Sequence, residues 1–215
     1  MKKLVELLTS SSLDIQTPAL RTVGNLLKEN DEQTQLLISY GVLTQFATLL
    51  HHPKNTIRKE VVWSISNITA GNKEQIQAVI DANLFPKLME IISSQNGEES
   101  KKEAFWAFSY ALDGGTCDQI QYLVELGVIM PFCDALTSFD PSTLCMLLYG
   151  LEAIFKNAAE KDNLDEITAI IEGCEGIDNL ESLLEHSNKD VVDAALRVFE
   201  FLDEDSAAVL REMFD

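Results

Sequence analysis

Cysteine and histidine are scarce in this chain, and neither is arranged for chemistry. The four cysteines, Cys117, Cys133, Cys145 and Cys174, show no CxxC spacing, and two of the three histidines, His51 and His52, are adjacent. No zinc framework emerges from that set. Scattered cysteines of this kind read as core filler, and they imply a reducing compartment, cytosol or nucleus. No cofactor or metal is expected. Basic residues are also few, with 16 Lys and Arg against 35 Asp and Glu, a net charge of −19. That balance argues against direct binding to a nucleic-acid backbone, whose phosphates need lysine and arginine, and it favours basic partners. Long apolar runs are missing too. The apolar runs present are short, such as Val61-Val62-Trp63, far from the ~20 residues a membrane span needs. Met1-Lys2-Lys3 before Leu4-Val5 looks like a leader, but Glu6 interrupts it and no small-residue cleavage site follows.

What the chain does contain is a repeat. Arg21 and Asn25, Trp63 and Asn67, and Trp106 and Tyr110 are pairs at i, i+4, so each pair shares one helical face. Positions 25, 67 and 110 are separated by 42 and 43 residues. A polar turn and a second echo follow each pair: Glu32-Gln33-Thr34-Gln35, Glu74-Gln75-Ile76-Gln77, Asp118-Gln119-Ile120-Gln121. A period of about 40–47 residues built only from helices means an armadillo or HEAT-type solenoid. Such a body has a concave surface whose lining decides what it binds.

The periodicity predicts helices over 14–29, 32–39, 43–50, 56–69, 74–81, 86–93, 101–112, 118–126, 131–138, 144–157, 164–172, 177–186 and 189–202. Glycine stands at helix stops and proline at helix starts, and Pro18 is expected near the first turn of its helix. Two longer helices and a short one per unit predict an all-α, right-handed armadillo solenoid, a superhelix of three-helix repeats. We divide the 1–215 solenoid into the end of one repeat (1–13), repeats 14–52, 53–95, 96–139 and 140–186, and an acidic terminal repeat (187–215). From Glu160 to Asp215 there are 17 acidic and 4 basic residues, −13 of the total −19. That stretch is either a solvated flank or a docking surface for a basic partner.

The helix of Trp63 separates two stripes. Val61, Val62, Ile65 and Ile68 can face a core, while Glu60, Trp63 and Asn67 form another line at i, i+3, i+7. Glu103, Trp106 and Tyr110 repeat that line. On adjacent repeats they would build a ladder of acid, aromatic and amide. An extended peptide carries one N–H and one C=O per residue, and asparagine offers both a donor and an acceptor to clamp them. Indole walls make slots for lysine or arginine stems, with about 0.5–2 kcal/mol from the ring and cation. Glutamates at the slot ends add charge-assisted contacts. The ligand this pattern points to is an extended peptide rich in lysine and arginine.

Several stretches resemble importin-α, the armadillo adaptor for basic nuclear localisation signals. They are Thr17-Pro-Ala-Leu-Arg-Thr-Val-Gly-Asn25, Lys59-Glu-Val-Val-Trp-Ser-Ile-Ser-Asn-Ile-Thr-Ala-Gly71, Gln75-Ile-Gln-Ala-Val-Ile-Asp-Ala-Asn83, Gln119-Ile-Gln-Tyr-Leu-Val-Glu-Leu-Gly127 and the acidic Asp203-Glu-Asp-Ser206. The resemblance covers the C-terminal half of such a protein, from the end of repeat five through repeat ten. It implies a minor signal-binding site, with Trp63 and Trp106 stacking, Asn25 and Asn67 clamping backbone, and Glu60 and Glu103 as acidic pocket residues. Arg21 matches an arginine between two sites, and Thr34 a pocket threonine. It also implies signal-bearing cargo, shuttling between cytoplasm and nucleus, and a nuclear export receptor and nucleoporin at the acidic repeats. The basic segment that binds importin-β has no counterpart here. Two departures point to a weak or altered minor site. Tyr110 replaces an expected asparagine, and Lys28 brings positive charge where a pocket threonine is usual. Ala153 does not extend the ladder.

Two rival readings fit the sequence less well. An armadillo scaffold for acidic partners would need a basic groove, against the −19 charge and the positions of Glu60 and Glu103. An enzyme would need more than these two carboxylates, and no Ser/His/Asp set or phosphate loop accompanies them. A chain that starts inside a solenoid leaves an apolar end uncovered, so self-association through that end is expected.

Overall fold

The computed structural model describes residues 1–94 and 97–202. Among them the chain is helical, with α1 (Lys2–Leu7), α2 (Leu13–Glu29), α3 (Asp31–Ser39), α4 (Val42–Leu49), α5 (Asn55–Thr69), α6 (Lys73–Asp81) and α7 (Phe85–Ile92). They are followed by α8 (Glu98–Gly114), α9 (Cys117–Glu125), α10 (Ile129–Ala135), α11 (Pro141–Lys161), α12 (Leu164–Gly173), α13 (Gly176–Leu184) and α14 (Lys189–Leu202). Three helices recur in order, as the repeat predicts, but one is long and two are short (17, 9 and 8 residues in α2, α3 and α4) where two longer and one short were expected.

The first short helix of three repeats, α3, α6 and α9, starts where a side chain takes up a free amide. Asn30 Oδ1 accepts from Gln33 N at 2.9 Å, and Asn72 Oδ1 from Gln75 N at 3.1 Å. At α9, Gln119 N donates to Thr116 Oγ1 while Thr116 N donates to Gln119 Oε1, a reciprocal capping box. The turn into the third helix uses left-handed backbone, at Gly41 (φ 82°), Asn83 (φ 53°), Gly127 (φ 88°) and Glu175 (φ 56°). Three of these four residues tolerate that conformation, and glutamate does not.

The expected helix bounds shift most at α8, at α10 (Ile129–Ala135 against 131–138) and at α11. α8 begins at Glu98 and runs to Gly114, because acidic Glu98 and Glu99 suit a first turn. α11 extends from Pro141 to Lys161, capped by Asp140, which accepts from Thr143 N. Pro18 sits in the second turn of α2, not the first, since that helix already starts at Leu13. The lost amide bond is confined to an exposed stretch, and Thr22 Oγ1 donates to the Pro18 carbonyl at 2.8 Å.

The chain forms two compact units, Met1–Gln119 and Ile120–Asp215. In the first, α5 packs between α2 and α8. Val61, Val62, Ile65 and Ile68 are fully buried on one side of α5, as their spacing predicts. Phe46, Phe85 and Phe108 fill the core, Phe85 and Phe108 with ring centroids 5.1 Å apart. In the second unit α14 lies on α11 and α13, and Phe132 and Phe155 are buried. No helix among the described residues is long and apolar enough to cross a membrane.

Candidate functional site

The site is the exposed side of the layer α2–α5–α8. With the apolar stripe of α5 turned inward, Glu60, Trp63 and Asn67 are left half-exposed on the other side. Glu103, Trp106 and Tyr110 are likewise half-exposed on α8, and Arg21 and Asn25 are exposed on α2. A pocket of about 350 Å³ lies among them, lined by Arg21, Asn25, Lys59, Glu60, Trp63 and Glu103.

Trp63 defines this pocket because of what stands behind it. A Cβ at Gly24 would collide with the Trp63 ring and sit 2.9 Å from Ser64 Oγ. The glycine therefore lets the indole lie against α2. Asn67 Nδ2 donates to the Gly24 carbonyl at 3.2 Å. This ties the two helices and leaves the amide oxygen and one N–H for a ligand.

Charge in the pocket is balanced. Arg21 Nε lies 3.0 Å from Glu60 Oε1, with Arg21 65% and Glu60 22% exposed. Lys59 Nζ lies 3.0 Å from Glu99 Oε2. Surface ion pairs of this type are worth about 0–1 kcal/mol, so an incoming cation can take the carboxylate from Arg21 at little cost. Burial pushes the Glu103 carboxyl up. Lys59 and Lys102 pull it back, while Glu60 and Glu99 add to the rise.

On α8 the ladder changes. The Tyr110 ring lies 5.5 Å from the Trp106 ring, tilted by 57°, and the buried Trp106 Nε1–H has no partner among the described residues. Burial, and then the nearby Glu103 charge, raise the Tyr110 hydroxyl above its usual range. Trp106, Tyr110 and Asn67 do not line the pocket, although they share its face. Thr34 is elsewhere: it is 1% exposed, and its hydroxyl donates to the carbonyls of Leu27 (3.0 Å) and Asn30 (3.2 Å), joining α2 to α3. Lys28 is exposed in the last turn of α2. Lys59 was missed in the sequence. It precedes Trp63 by four residues, so helical spacing alone would have placed it on the same face. Among the described residues no group of three metal-ligating side chains converges.

Comparison with known proteins fits this geometry. The armadillo/β-catenin-like repeat model matches residues 1–28, 30–70 and 72–113. Importin subunit alpha-4 of Arabidopsis thaliana is 42% identical over 220 residues, covering 98% of this chain and 40% of the relative. Importin subunit alpha-1b of Oryza sativa subsp. japonica is 42% identical, over 96% of this chain and 40% of the relative. The chain thus spans about two fifths of the length of the relatives it matches. A designed armadillo repeat protein in complex with the peptide (KR)4 superposes with a TM-score of 0.71 at 25% identity, covering 94% of this chain and 99% of that one. An engineered protein superposes with a TM-score of 0.79 at 25% identity, covering 94% of this chain and 78% of that one. The repeating helices, the half-exposed ladder and these matches together make the chain a member of the armadillo/β-catenin-like repeat family, similar over nearly all of its length to importin α subunits.

Proposed function

We propose that this chain is the peptide-recognising part of a nuclear import adaptor, and that it binds basic nuclear localisation signals along the face of α2, α5 and α8. The observation that carries the reading is the pocket walled by Trp63 and flanked by Glu60 and Glu103, with Asn25 at its side. A lysine or arginine stem stacks on Trp63, and its charged head replaces Arg21 on Glu60. Asn25 and the remaining polar atoms of Asn67 hold the peptide backbone. Trp106 adds a second stacking surface, but Tyr110 supplies no amide clamp there, so the peptide is held less firmly beyond Glu103. Nothing in this mechanism makes or breaks a covalent bond. The names of the relatives support the import role, and the (KR)4 peptide carried by the designed neighbour supports the ligand class.

The same reading assigns the protein to both cytoplasm and nucleus. It places contacts with a nuclear export receptor and a nucleoporin on the acidic stretch after Glu160. Asp203 to Ser206, part of that stretch, lie outside the described residues. Importin-β would bind through a segment that this sequence does not contain.

The test is titration of a labelled (KR)4 peptide into wild type, Trp63→Ala and Trp106→Ala at two salt concentrations. Removing an aromatic wall worth about 0.5–2 kcal/mol should weaken binding by roughly 2- to 30-fold, more for Trp63 than for Trp106. Wild-type binding should also weaken with salt. A wild type that ignores the basic peptide, or variants that bind as well as wild type, would overturn the reading in favour of a scaffold for other partners.

A further inference from the structure

The aromatic position of the ladder recurs once more. Trp63 and Trp106 are followed at the same interval of 43 residues by Tyr149, which lies on α11 in the second unit and is 36% exposed. The asparagine position four residues later is Ala153, so no backbone clamp accompanies it. What accompanies it is a cation. Arg197, on α14, holds its guanidinium over the Tyr149 ring with Cζ 5.3 Å from the centroid. Its Nε donates to Glu152 Oε2 at 3.1 Å, while Lys156 Nζ lies 2.6 Å from Glu152 Oε1.

An aromatic face beside a carboxylate that is 14% exposed is the chemistry that holds a peptide arginine or lysine. Here the chain fills that place itself. Arg197 and Lys156 against Glu152 leave a net positive charge, which repels a second cation. The cluster is firmly made: burial would push the Glu152 carboxyl up, but hydrogen bonds from Lys156 and Arg197 outweigh it and hold it below the usual carboxylate range.

We propose that Tyr149 and Glu152 form a binding slot for the lysine or arginine side chain of a basic peptide, and that Arg197 is its built-in occupant. While Arg197 is seated, the second unit refuses basic peptides. With Arg197 neutralised, Glu152 and Lys156 balance, the Tyr149 face is uncovered, and the slot accepts a cation.

The test uses the full chain carrying Trp63→Ala and Trp106→Ala, which weakens binding at the first unit, with (KR)4 as the calorimetric probe. Added Arg197→Ala should raise affinity for the peptide by about tenfold or more, and a further Tyr149→Ala should abolish that gain. Arg197→Gln keeps a polar stem against α11 without the charge, and should show the same gain if the alanine variant folds poorly. Helical circular dichroism confirms that each variant is folded. A folded Arg197→Gln chain that binds the peptide no better than its parent would overturn the proposal and leave Arg197 as a tie between α14 and α11. Because the Trp63 and Trp106 variants report on the first unit and the Arg197 variants on the second, the slot and the groove succeed or fail separately.

Discussion

Single residues in this chain act by what they leave room for. Gly24 has no φ requirement, yet its missing side chain seats Trp63. Gly24→Ala should cost about 1–3 kcal/mol through overpacking, and should weaken (KR)4 binding because the indole is pushed off α2. Urea unfolding and peptide titration on the same variant check both. Glu103 works differently. Its raised pKa means that it holds a proton to higher pH in the folded chain than in the unfolded one. Its contribution to folding is therefore favourable in acid and is lost as pH rises through the raised value. At neutral pH, Glu103→Gln should leave the fold at least as stable while weakening binding of a cationic peptide. In wild type, peptide affinity should fall as pH drops through a point above the ordinary carboxylate range, and the Gln variant should flatten that part of the profile. Glu175 is strained. It sits at φ 56° in the turn where other repeats have Gly41, Asn83 and Gly127. Glu175→Gly should raise stability by about 0.5–1 kcal/mol, the relief of a left-handed side-chain clash less the entropy of glycine; a shift of the urea midpoint measures it.

At the scale of elements, the short helices of the first unit are joined by glutamines. Gln75 Nε2 donates to the Asp31 carbonyl at 3.2 Å, and Gln119 Nε2 donates to the Lys73 carbonyl at 2.9 Å and to Gln77 Oε1 at 3.0 Å. Each therefore reaches back to the first residue of the corresponding short helix one repeat earlier. Gln75 and Gln119 are almost fully buried, so removing either gives up these bonds between repeats together with the packing around the side chain. Gln75→Ala and Gln119→Ala should each cost about 1–3 kcal/mol, and hydrogen exchange should quicken in α3 for the first and α6 for the second. The sequence showed these glutamines as an echo that marks the repeat. It did not show their purpose, because the carbonyls they meet lie 44 and 46 residues away. Thr34 teaches the same lesson in reverse. The resemblance to importin-α implied a pocket position for it, yet the packing of α3 on α2 turns its hydroxyl to the Leu27 carbonyl.

For the whole molecule, charge is unevenly shared, with −13 of the −19 lying from Glu160 onward. Self-repulsion of that kind destabilises a compact state and is screened by salt. The two tryptophans, Trp63 and Trp106, both belong to the first unit. Tryptophan fluorescence should thus follow the first unit alone, and helical circular dichroism both. Denaturant curves from the two signals should separate at low salt and draw together as salt is added, because the acidic unit gains more. Coincident curves at every salt concentration would show one cooperative body instead.

Periodicity by itself determined the armadillo class, the three-helix repeat and the buried stripe of α5, because burial on a helix follows spacing along the chain. It also placed the acid–aromatic ladder of Glu60, Trp63, Glu103 and Trp106 on one face. Only the tertiary structure decided which of these side chains meet. Arg21 finds Glu60, Asn67 finds Gly24, and Arg197 fills the place beside Tyr149. All three contacts join different long helices, across 39 to 48 residues of chain. Spacing fixes the side of a helix on which a residue stands, whereas packing fixes the neighbour it faces.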